Sequence, residues 1–169
     1  VNETAESYSS QLAAALSPYT APLRGGLGER AEEQLLSTSD AQFGGFGDTP
    51  KFIQAPKLAL AAWLCGDSGR LREFLDTSLS ALASGAIYDH LSGGFHDYCY
   101  DRLWSQPCLG RHAAQSVAGL WAFVEGFEIF QSPAYWHVAD DTIWSLIFGF
   151  DRGDGLLNGG DDVHDAAAV

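Results

Sequence analysis

The chain has 169 residues, 46% hydrophobic content and a formal net charge of −13. That length makes one domain the default, and 46% apolar with 12% aromatic residues excludes a disordered composition. The acidity excludes a nucleic-acid partner, which wants a basic face, and an anionic membrane surface.

The longest unbroken apolar run, Leu58 to Cys65, falls far short of the roughly 18 residues that suggest a spanning helix. No transmembrane segment and no signal peptide is expected. The chain contains no methionine, so residue 1 is not an initiator. The expectation is a processed chain or a piece of something longer, which would fit an organellar subunit of a plastid or mitochondrion. Three cysteines without C-x-x-C give no disulfide framework.

In chain order, residues 1–25 read as a short helix near 6–16 and a linker carrying Pro18 and Pro22. Residues 26–165 read as one helical domain, and 166–169 as a tail. Gly28 to Ser37 holds good helix formers, ending near Asp40. Gly44-Gly45-Phe46-Gly47 is a turn, since serial glycines allow positive φ and close backbone approach. Pro56 opens a helix with Leu58, Ala61, Ala62 and Cys65 at helical spacing. After the Gly66–Gly69 turn, Leu71, Phe74, Leu75, Leu79 and Leu82 form an i, i+3, i+4 stripe up to Gly85. These two helices make a hairpin.

Residues 85–116 form the densest polar and aromatic stretch, with His90, His96, His112, Cys99, Cys108, Asp89, Asp97, Arg111 and Trp104. Connections this long are uncommon inside compact domains and usually functional. Phe95 to Tyr100 alternates briefly and predicts a short hairpin arm. Pro107 is expected to open a long helix to about Phe130, with Leu109, Ala113, Val117, Leu120, Trp121, Val124 and Phe127 as its apolar stripe. Ser132-Pro133 starts another helix to about Gly149. Its apolar residues cover nearly the whole circumference, which predicts burial on several sides or contact with another protein. Gly-rich turns near 44, 93 and 154 give a coarse repeat of about 50 to 60 residues. The fold class is all-α: helical hairpins joined by Gly-rich loops.

Gly85-Ala-Ile-Tyr-Asp-His-Leu-Ser-Gly-Gly-Phe-His96 resembles the G-G-I-Y-D-x-L-G-G-G-F-H signature of the spermatogenesis-associated protein 20 family. Phe43 to Gly47 followed by Pro50-Lys51-Phe52 resembles its G-G-F-G-x-x-P-K-F-P, and Gly153 to Asp165 its G-G-F-Y-S-A-E-D-A-D-S turn. The resemblance implies part of an (α/α)₆ toroid of the kind seen in sugar epimerases and six-hairpin glycosidases. The family's preceding thioredoxin-like domain has no counterpart here. Where the family continues W-L-V-P-H-F-E-K-M-L-Y-D-N, Cys108 stands at its His position, Gly110 at its Glu and Gln115 at its Asp. Arg111 keeps the charge of its Lys, and Asp97 replaces an Arg.

The resemblance implies a pocket for a carbohydrate-like substrate, lined by Asp89, His90, His96, Tyr98, Trp104, Arg111 and His112. Epimerisation or hydrolysis needs an acid and a base near opposite faces of the substrate. His96 is the catalytic candidate, but its partner positions hold Cys108 and Gly110. Two metal alternatives can be read from the residues, one from spacing and one from composition. His96, Cys99, Cys108 and His112 match a Cys₂His₂ zinc pattern. Asp151, Asp154, Asn158, Asp161 and Asp162 form an oxygen-rich loop without calcium-loop spacing, and read as a solvated acidic turn. No cofactor is expected. A full toroid of this type has about twelve helices and this chain roughly six or seven, so its helix faces lack neighbours. The functional expectation is therefore a non-catalytic accessory subunit that docks on other protein subunits. The alternative is a carbohydrate-acting epimerase or glycosidase-like domain completed by another chain.

Overall fold

The computed structural model describes residues 26–66 and 68–161. The helix expected near 6–16, its linker and the tail lie outside the described residues. Among those described there are five helices: α1 (Leu27–Ser37), α2 (Ala55–Cys65), α3 (Gly69–Ser84), α4 (Ala113–Phe130) and α5 (Pro133–Gly149). One two-residue strand, β1 (Arg111–His112), pairs antiparallel with β2 (Gly160–Asp161). The all-α reading holds.

Local chemistry explains most of the helix starts. Proline sits in the first turn of both α2 and α5, where its missing N–H costs nothing. Ser68 caps α3, its hydroxyl accepting the Leu71 N–H at 3.4 Å. Consecutive helices pack on one another, α2 also packs along α4, and α3 touches both α1 and α5. The result is two layers closing on one core. The stripe of α3 supplies much of that core. Leu71, Phe74, Leu75, Leu79 and Leu82 are all buried, each contributing about 1.5–3 kcal/mol of transfer free energy.

Helix α4 departs from expectation twice. It begins at Ala113 rather than Pro107. The reason is that residues 107–110 spend their backbone groups on the central loop. Pro107 bridges Cys99, Cys108 N–H donates to the Tyr98 carbonyl at 2.8 Å, and the Gly110 carbonyl accepts the Asp97 N–H at 3.2 Å. The predicted hairpin arm is thus present, and it consumes the start of the predicted helix. The buried face is only in part the predicted one: Ala113 is buried and Leu120 and Phe127 pack against the core, but the rest of the stripe does not. Ala113, Ser116, Gly119, Ala122, Phe123 and Gly126 face inward, while Leu109, Val117, Trp121 and Val124 are exposed. Small residues win because neighbours press close. A Cβ on Gly119 would lie 2.3 Å from the Phe95 ring, and one on Gly126 would lie 2.3 Å from Leu79 Cδ1.

Helix α5 buries one face only, with Tyr135, Val138, Ala139, Thr142, Ser145 and Leu146. Trp136, Ile143, Trp144, Ile147 and Phe148 remain exposed. Burial on several sides is therefore not observed, and the greasy outer face stays open.

The Gly-rich turns repeat in three dimensions. Asp40 to Phe46 and Asp89 to Phe95 share the pattern D-x-x-x-G-G-F. In each, the Asp N–H donates to the second glycine's carbonyl (2.9 and 3.0 Å), and the first glycine's N–H donates back to the Asp carbonyl (2.9 Å in both). The carboxylates cap their own turns, Asp40 taking the Gln42 and Phe43 N–H groups and Asp89 those of Leu91 and Ser92. Gly44 and Gly93 have φ near +70°. A Cβ there would sit 2.6 Å from the Ser78 Cα and 2.5 Å from the Asp141 carbonyl oxygen. The third turn, bridged Asp151 to Leu157, keeps the outline.

Candidate functional site

The central loop is held between two loops and two helices. Lys51 exchanges both backbone hydrogen bonds with Cys99, at 2.8 and 2.9 Å. Phe95 drops into the core, stacked on Phe123 at 5.7 Å, and its N–H donates to the Ser116 hydroxyl. These contacts fix where the flanking polar side chains stand.

The seven pocket residues read from the sequence do not form one cluster. Arg111 binds Asp89 at 3.2 Å and Ser92 Oγ at 3.0 Å, and Ser92 in turn donates to Asp89. Burial pushes the Asp89 carboxyl up, but the Ser92 hydroxyl, the turn amides and Arg111 outweigh it and hold it below the usual range. His112 Nδ1 lies 2.7 Å from the Asp97 carboxylate. His90 packs edge-on against Tyr88 at 4.9 Å, with Nε2 at 3.1 Å from the Gly85 carbonyl. His96 gives its N–H to the Ile87 carbonyl at 2.9 Å. Its Nδ1 is buried with no hydrogen-bond partner.

Trp104 offers no stacking face, because it is 1% exposed. Its indole N–H donates to the Phe43 carbonyl at 2.9 Å, and its ring edge lies 2.6 Å from where a Gly45 Cβ would be. It locks the first Gly-rich loop to the central one. Beside it, and missed in the sequence reading, is a buried ionic clasp. Lys51, 0% exposed, reaches Asp40 at 2.7 Å, the Arg102 carbonyl at 3.2 Å and the face of Trp104 at 4.8 Å. Arg102 closes a two-pronged pair on the same carboxylate, at 2.7 and 2.9 Å. Burial raises the Asp40 carboxyl, but Arg102 and Lys51 dominate and hold it far below the usual range. Only the D-x-x-x-G-G-F repeat could have flagged Asp40, by analogy with Asp89.

Tyr98 is drawn to a thiol. Tyr98 and Tyr100 meet edge-on at 5.1 Å, and Tyr98 also packs on Phe52 at 5.2 Å. The Gly110 N–H, with both phenols, favours the Cys108 thiolate and lowers that thiol's pKa. Cys99 is the opposite case: burial pushes its thiol up to about 11.

The zinc pattern is not assembled. Cys108 and His112 lie in extended backbone rather than on one helical face, Cys99 is fully buried, and no metal-holding cluster forms among the described residues. Two carboxylates of the acidic turn are spent locally. Asp151 takes the Gly153 N–H at 2.8 Å, and Asp154 takes that of Leu156 at 3.1 Å and pairs with Arg152 at 3.4 Å. Asp162 lies outside the described residues.

Two hollows bear on function. A groove of about 310 Å³ is lined by Ser92, Arg111, Trp144, Ser145, Phe148 and Gly149, with Trp144 and Phe148 stacked at 5.4 Å. Another of about 230 Å³ joins Leu60 and Trp63 of α2 to Trp121 of α4. A larger hollow of about 510 Å³ runs along α1 at Leu27, Arg30 and Gln34, away from the loops.

No family model matches the chain. Human spermatogenesis-associated protein 20 is 29% identical over 116 residues, covering 65% of this chain and 15% of that protein. The rat protein of the same name is 33% identical over 119 residues, covering 64% of this chain and 15% of its own length. In structure, cellobiose 2-epimerase from Spirochaeta thermophila aligns with a TM-score of 0.62 at 16% identity, over 85% of this chain and 41% of that one. The fold is thus part of an (α/α) toroid, and the chain spans about 15% of the length of these curated relatives. Among the described residues no helix is long and apolar enough to cross a membrane.

Proposed function

We propose that this chain, a partial relative of spermatogenesis-associated protein 20 with an epimerase-like toroid fold, acts as a non-catalytic accessory subunit of a larger assembly. The observation that carries this reading is the state of the loop groups. Asp97 is engaged by His112, Asp89 by Arg111, and Asp40 by Lys51 and Arg102. Cys108 and Gly110 stand where the resembled family has His and Glu. An acid and a base facing a common open space, as sugar chemistry requires, are not among these pairs. His96 braces the loop through its backbone bond to Ile87. The open faces of α4 and α5 provide the docking surface.

The test is a turnover assay on a panel of β-linked disaccharides, with products separated chromatographically. No epimerised or hydrolysed product is expected, and His96→Ala should leave elution volume and helical content unchanged. Turnover that disappears in His96→Ala would overturn the reading. It would favour the second one, a carbohydrate-acting domain completed by another chain. That reading draws on the groove where Arg111 and Ser92 meet the aromatic wall of Trp144 and Phe148, a polar floor beside an apolar face as sugar rings require.

A further inference from the structure

We draw no further inference here: the strongest candidate, the exposed apolar face of the α4–α5 hairpin at Trp144, Ile147 and Phe148, carries nothing further because nothing in the structure shows what covers it.

Discussion

Gly119→Ala isolates the contact that orients α4. An exposed helical glycine gains about 1 kcal/mol on becoming alanine, because alanine loses less backbone entropy. Here the new Cβ would meet Phe95 Cδ2 at 2.3 Å and Cε2 at 2.4 Å. Ordinary carbon contacts begin at about 3.5 Å, so the ring or the helix must yield by more than an ångström. The ring has little freedom. Phe95 is 0% exposed and stands between Phe123 at 5.7 Å and Tyr88 at 5.4 Å. Overpacking of this kind costs about 1–3 kcal/mol or more. Against the propensity gain, we expect a net loss of up to about 2 kcal/mol, which would lower the melting midpoint by as much as roughly 4–8 °C for a chain this size. Gly126→Ala is the internal control, since its clash is with the flexible Cδ1 end of Leu79, and it should lose less. Urea unfolding of both variants, with Phe95→Leu added to Gly119→Ala, reads the coupling. A Gly119→Ala protein more stable than the parent would refute the assigned buried face.

Other outcomes follow from the loops. Asp40→Asn strands the fully buried Lys51 ammonium and should cost about 3–5 kcal/mol in chemical denaturation. Because the folded Asp40 carboxyl is depressed, its stabilisation is complete above the unfolded value of about 4 and fades as pH falls below it. Acid unfolding of the parent should therefore be steeper in that range than that of Asp40→Asn. Cys108 should alkylate with iodoacetamide well before Cys99 at neutral pH, because the Gly110 amide and two phenols favour its thiolate while burial raises Cys99 to about 11. Peptide mapping by mass spectrometry would show the order, and equal labelling would contradict the assigned environments.

Legibility in the sequence tracked contrast between faces. Helix α3 has leucines on one side and Arg70, Glu73 and Asp76 elsewhere, so its period named the buried side residue by residue. Helices α4 and α5 are apolar nearly all round, and hydrophobicity then carries no direction. The deciding residues were the small ones, Gly119, Ala122 and Gly126, whose lack of bulk admits Phe95 and Leu79. Pro107 misled for a related reason. It suits a helix start, but the partners that make it a bridge, Cys99 and the Tyr98 carbonyl, lie back in the arm and are tertiary information. The glycine loops were readable because positive φ leaves a chemical trace. The Lys51 clasp was not, since a lysine in sequence reads as surface and only its three neighbours make it a core residue.

That clasp also limits how the architecture can be re-engineered. Residues 40–51 and 102–104 share one ammonium and one carboxylate, so neither stretch is an independent cassette. Transplanting the first turn from a distant cousin without its companion would strand a charge in a dry interior. Grafts and chimaeras of this scaffold would have to exchange both stretches together.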